Sequence, residues 1–182
     1  MRKKRILLAA TLLLGTALHS AAQFYSVRTN LIGLASTNLN IEASMTLNRK
    51  WSLHIPVQYN PFVFKDNKQF RNFFTTPGVR YWLMESYSST FIGMYAVGAE
   101  YSIGNLFGNK YRYEGVGYGA GISLGHAYTL GKKWNIEWEI GVGGLWCNYE
   151  KYECKRCGDL VERKREWRVL PTKTAINLIY LF

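Results

Sequence analysis

Thr172-Lys173-Thr174-Ala175-Ile176-Asn177-Leu178-Ile179-Tyr180-Leu181-Phe182 is the stretch that decides the fold. Thr172, Thr174, Ile176, Leu178, Tyr180 and Phe182 share one parity; Lys173, Ala175 and Asn177 hold the other until Ile179 and Leu181 break the alternation. A period of two that runs to the final carboxylate predicts a strand with nothing after it. In water this strand would be an exposed, aggregation-prone edge. In lipid it must find a partner, because no backbone edge can stay open there. The expectation is a strand that pairs with the first one and closes a transmembrane barrel.

The same alternation recurs upstream. Leu39, Ile41, Ala43, Met45 and Leu47 oppose Asn40, Glu42, Ser44, Thr46 and Asn48. After the tight Asn48-Arg49-Lys50 turn, Trp51, Leu53, Ile55, Val57 and Tyr59 oppose Ser52, His54, Pro56 and Gln58. Trp134, Ile136, Trp138, Ile140 and Val142 oppose Asn135, Glu137, Glu139, Gly141 and Gly143. Further strands are expected over Ser26–Ala35, Thr76–Leu83 and Thr90–Ile103. The latter has Phe91, Tyr95, Val97, Ala99 and Tyr101 on its apolar face and Glu100 opposite. One more carries Gly115, Gly117, Gly119 and Gly121 on a single face. The reading is all-β: an eight-stranded antiparallel up-and-down transmembrane β-barrel, with strands near the roughly 9–11 residues that cross a bilayer at a tilt. Connections after the second, fourth and sixth strands are short. Those over Asn60–Thr75, Gly104–Glu114 and Cys147–Leu170 are long, an asymmetry that outer-membrane barrels have.

The chain has 182 residues. Arg2, Lys3, Lys4 and Arg5 precede an apolar run from Ile6 to Leu18 and then Ser20-Ala21-Ala22. This predicts a signal peptide over 1–22 and a single barrel domain over 23–182. Cleavage takes four of the 23 basic residues and leaves 19 against 12 acidic ones, a net +7. In an exported protein that excess suits outer-membrane lipid and lipopolysaccharide phosphates and gives no reason to expect nucleic acid. A soluble lipocalin-like barrel would turn Trp, Ile and Leu inward instead. The signal peptide, terminal Phe and loop asymmetry favour the outer membrane.

With apolar parity toward lipid, polar parity fills the lumen. Arg28, His54, Glu137 and Glu139 are expected near the periplasmic end, and Glu42, Arg80, Glu100 and Lys173 nearer the outside. Each layer mixes signs and can pair internally. The alternating glycines should make room for bulky neighbours such as Trp82. Trp51 and Trp134 follow tight turns and, with Tyr180 and Phe182, are expected in the inner aromatic girdle. Two histidines at the inner level and one leaving with the signal give no catalytic cluster, and no cofactor is expected. Outside the cytoplasm Cys154 and Cys157 form a candidate disulfide. Cys147 starts its loop facing inward. Lys155, Arg156, Arg163, Lys164 and Arg165 make that loop a candidate docking site.

Several segments resemble domain-of-unknown-function family 3575, small outer-membrane proteins. They are Tyr59-Asn60-Pro61-Phe62, Val79-Arg80-Tyr81-Trp82, Arg112-Tyr113-Glu114-Gly115, Tyr118-Gly119-Ala120-Gly121-Ile122-Ser123, Gly131-Lys132-Lys133-Trp134-Asn135, Ile140-Gly141-Val142-Gly143, Tyr152-Glu153-Cys154 with Cys157-Gly158, and the ending from Pro171-Thr172-Lys173 to Phe182. The resemblance implies a barrel of uncharacterised role, in some cases encoded near surface-fimbria components. It supplies no catalytic residues. The aromatic-x-aromatic ending resembles the signal read by the outer-membrane barrel assembly machinery. The functional expectation is a non-enzymatic structural or docking barrel with a surface or fimbrial protein as partner. The rivals are a narrow ion or small-solute channel and a lipid-modifying enzyme.

Changing both Tyr180 and Phe182 to Ala removes the assembly signal and part of the closing strand. The folded, heat-modifiable fraction in outer membranes should fall sharply, measured by comparing unheated and boiled samples on a gel. Unchanged assembly would sink this reading of the terminus.

Overall fold

The computed structural model describes residues 25–62, 69–104, 111–153 and 159–182. The expected signal segment, Cys154, Lys155, Arg156 and Cys157 lie outside them. The strands are β1 (Tyr25–Asn30), β2 (Leu39–Asn48), β3 (Trp51–Asn60), β4 (Gln69–Thr75), β5 (Gly78–Trp82), β6 (Thr90–Gly104), β7 (Arg112–Thr129), β8 (Trp134–Tyr152) and β9 (Leu160–Leu181). All pairings are antiparallel. They run from β1 through β2 and β3, by way of β4 and β5 to β6, then through β7 and β8 to β9, which pairs back with β1. The sheet is therefore a ring of hydrogen bonds. Its closing register sets Val27 opposite Tyr180 and Asn30 opposite Asn177.

Nine strands replace the expected eight. β4 and β5 each pair with β3 on one side and β6 on the other, so one expected strand and half of the expected Asn60–Thr75 loop share a place in the ring. Two prolines explain the break. Pro77 separates β5 from β4, and Pro56 stands where β3 changes partner, between His54 opposite Gly78 and Val57 opposite Thr75. Neither proline has an N–H to give to a ladder.

Three other expectations change. The first strand stops at Asn30, whose side chain accepts from Ile32 N–H and caps a short helix, α1 (Leu31–Ala35). The Cys147–Leu170 connection is mostly ladder, because β8 continues to Tyr152 and β9 begins at Leu160. In β6 the facing is reversed: Phe91, Tyr95 and Val97 are buried while Ile92 and Met94 are exposed. The glycines decide this reversal. A Cβ on Gly121 or Gly141 would lie 2.6 Å from Tyr95, and one on Gly125 would lie 2.4 Å from the Phe91 ring. The space left by glycine parity is filled by Tyr95 and Phe91, not by Trp82.

The interior is stratified. At the short-turn end Trp82, Tyr87, Phe91 and Ala127 form an apolar floor, with Leu181 packed against it. Ile179, fully buried, and Leu181 thus break the terminal alternation because inward parity at that height is apolar. Tyr87 comes from the 83–89 turn and enters the ring with φ of 67°. Its hydroxyl meets Ser44 Oγ at 2.9 Å, and its carbonyl accepts from Asn135 Nδ2 at 2.5 Å. Above this floor lies a charged layer, and above that a cavity. The outside is apolar: Ile41, Ile55, Ile92, Met94, Ile122, Leu124, Ile140 and Val142 are all exposed.

A buried charge network beneath an open cavity

Glu137, near the start of β8, is wholly buried and is the carboxylate on which the interior charges converge. Arg28 Nη1 donates to both its oxygens at 2.9 Å. Arg80 Nη1 does the same at 3.1 and 3.0 Å, and Asn177 Nδ2 adds a bond at 2.9 Å. Arg80 Nη2 reaches Glu139 Oε2 at 2.5 Å. Glu139 Oε1 accepts from Ser123 Oγ at 2.6 Å and Lys173 Nζ at 3.3 Å. Glu42 Oε1 lies 3.4 Å from Arg28 Nε and 3.6 Å from Arg80 Nη2, close enough for ion pairing. Aromatic faces complete the setting, with the Arg80 guanidinium 4.4 Å from the Phe91 centroid and Lys173 Nζ 4.6 Å from that of Tyr95.

Seven of the eight expected lumen residues thus form one network, not two layers. Arg80 ties Glu42 to Glu137 and Glu139 across the expected division. Glu100 is the exception. It is exposed, on the opposite parity of β6 from buried Tyr95 and Val97. The inverted facing of β6 takes it out of the charge network, although it still borders the cavity. Three cations, Arg28, Arg80 and Lys173, balance three carboxylates, so the layer needs no counter-ion.

His54 joins through donors whose directions are fixed by chemistry. A carboxylate only accepts and an indole N–H only donates. His54 Nδ1 therefore gives its proton to Glu42 Oε1 at 2.7 Å. Trp82 Nε1 donates to Ser52 Oγ at 2.7 Å, and Ser52 turns its own proton to His54 Nε2 at 2.6 Å. Ser52, His54 and Glu42 have the connectivity of a hydrolase triad. Ser52, however, is fully buried, spends an acceptor site on Trp82, and does not line the cavity. Sequence reading missed Ser52, Ser123, Asn177 and Tyr87. Ser52 and Asn177 share inward parity with His54 and Lys173 on their own strands, a usable signal, whereas Ser123 shares parity mainly with the glycines of its strand. Tyr87 sits in a turn, where parity carries no information.

The cavity measures about 840 Å³. Arg28, Glu42, Glu139 and Lys173 floor it; Phe74, Leu145, Cys147 and Tyr149 line its wall. Cys147 is a buried free thiol. Among the described residues no three His, Cys, Asp or Glu side chains converge as a metal site requires.

The long-strand end carries a second group of charges. Arg163 Nε donates to Glu150 Oε1 at 2.8 Å, Lys164 lies 3.7 Å from Glu162, and Arg165 is exposed. The bonds from Tyr152 and Arg163 hold the Glu150 carboxyl below the usual range. Arg168 does the same for Glu166 and is itself raised in return. At the opposite end Trp134 packs on Tyr180 at 4.9 Å between centroids, Tyr180 on Phe182 at 5.2 Å, and Trp51 on Tyr81 at 5.2 Å.

A family model matches residues 7–182. The chain belongs to the DUF3575 family, proteins of unknown function. No curated protein and no solved structure matches it. The DUF3575 match spans every element described above, including the charged layer.

Glu137→Gln removes the charge that two buried guanidinium groups share. Breaking such a pair costs on the order of 3–5 kcal/mol. The variant should lose its folded band at a much lower temperature than the parent, whereas Glu150→Gln at the exposed end should leave that temperature unchanged.

Proposed function

We propose that this DUF3575 protein is a non-enzymatic outer-membrane β-barrel that docks a surface component, with β4 and β5 counting as one of eight staves. The observation that carries the membrane reading is inverted polarity: charges inside, an apolar belt outside. Aromatic residues border that belt. Trp134, Tyr128 and Phe182 stand exposed at one end; Tyr118 and Trp167 stand exposed at the other, with Trp146 packed on Trp167 at 5.6 Å. From Trp134 to Trp146 the strand advances roughly 40 Å at about 3.3 Å per residue. Tilted by about 40°, that spans roughly 30 Å, close to the height of an outer-membrane apolar band.

The interior argues against the rival roles. Among the described residues, Trp82, Tyr87, Phe91 and Leu181 pack together below a charge-balanced layer, which argues against an ion path. The buried Ser52 hydroxyl has no place for a lipid ester. Docking is supported by the basic end of the β8–β9 hairpin, which continues beyond the outer aromatic row with Arg163, Lys164 and Arg165. Lipopolysaccharide phosphates suit the same charges, and the terminal strand suits the assembly machinery.

Ile140→Arg should lower stability by about 2–4 kcal/mol if the site lies near the bilayer midplane. The mature chain should require detergent to stay in solution. Replacing Glu150–Arg168 by a short Gly-Ser linker should leave a heat-modifiable barrel and abolish co-purification of its partner from native outer membrane. Conductance in planar bilayers, or altered lipid A in a mass spectrum, would overturn the assignment.

A further inference from the structure

Beyond the seam with β1, β9 has one strand neighbour among the described residues. β1 ends at Asn30, opposite Asn177. From Ile176 back to Leu160, β9 has β8 on one side and, among the described residues, no strand on the other. The part nearest the seam is covered by other means. Asn30 Nδ2 donates to Thr174 O at 3.3 Å, and Asn30 Oδ1 accepts from Ile176 N at 3.3 Å, so one side chain stands in for a strand. Pro171 then brings no N–H to the edge. From Leu170 to Leu160 no described residue bonds the outer backbone edge.

Beyond the outer aromatic row, the edge from Leu160 to Glu166 is about 23 Å long, at roughly 3.3 Å per residue, and is a ready template for another strand. Every residue along it is exposed except Glu166, which is half-buried. The charges on it are unequal: Arg163, Lys164 and Arg165 against Glu162 and Glu166. Arg165 has no ion pair among the described residues. Antiparallel pairing of two copies centred on the 163–165 run would set like charges opposite one another, which is destabilising. An acidic strand from another protein meets no such penalty. It would gain main-chain hydrogen bonds from the edge and ion pairs from the side chains.

We propose that the β9 edge from Leu160 to Glu166, beyond the outer aromatic row, captures an extended acidic segment of a partner protein by β-strand addition. This rests on the docking reading and gives it a location and a mode.

The test uses the full mature chain in detergent micelles. The probe is a fluorescent eleven-residue peptide of alternating Glu and Val. Binding should raise its anisotropy and slow amide exchange across Leu160–Glu166. An alternating Lys-Val peptide should not bind, nor should the acidic peptide N-methylated throughout. Arg163→Glu/Lys164→Glu/Arg165→Glu should weaken binding about tenfold or more, since every tenfold is only about 1.4 kcal/mol, while the barrel stays heat-modifiable. Equal binding by the N-methylated peptide overturns the proposal. So does unchanged exchange over Leu160–Glu166, or slowing of those amides by purified lipopolysaccharide but not by the peptide. If the peptide fails while the linker variant loses its native partner, docking stands and the edge is wrong. If the peptide protects the edge while the linker variant keeps that partner, edge capture stands and the docking reading falls.

Discussion

Two arginines sharing one carboxylate is the arrangement on which the interior depends. Arg28 comes from β1, Arg80 from β5 and Glu137 from β8, so a single anion ties together three separate parts of the ring. Each of the three is costly to bury alone and tolerable only in company. Glu42, Glu139 and Lys173 then follow from electroneutrality, and Asn177 and Ser123 from the need to occupy the remaining carboxylate lone pairs. A hydrophobic interior could fill the same volume. It would leave the chain apolar on both faces and with little to define which side faces inward.

Shape makes the second constraint. A narrow ring holds few large side chains at any height, so bulk on one strand requires absence on another. Tyr95 and Phe91 extend into the space that Gly121, Gly141 and Gly125 vacate. The bulge opposite Gly141 and Val142 turns Thr172 inward, where its hydroxyl meets Tyr95 Oη at 2.6 Å. Charges and aromatics are therefore stacked in levels: the aromatic floor below, ions in the middle, open space above.

Much of this was legible in the sequence because alternation is a local signal. Glu42, His54, Glu137 and Glu139 fall on the inward face that their apolar neighbours imply. β6 was misread for a reason that locality cannot cure. Both of its faces are apolar, and only the glycines of β7 and β8, distant in the chain, decide which one enters. The break between β4 and β5 was similarly hidden, since it depends on Pro77 lying beside the place on β3 where Pro56 stands. Asn30 reads equally well as a strand residue or a cap until Thr174 is beside it. The convergence of the charges on one level depends on the stagger between strands, which no single strand encodes.

The seam between β1 and β9 is short, five residue pairs from Ser26 to Asn30. By backbone bonding alone it would be the joint most prone to fraying. Yet Arg28 and Glu137 stand on β1 and β8, the two strands flanking β9, and their ion pair reaches across β9 inside the ring. It works as an internal latch. Peeling β1 from β9 must also pull a guanidinium off its carboxylate in a place water hardly enters, so the barrier to unlatching is electrostatic. A seam held this way resists sideways opening even though few hydrogen bonds stitch it.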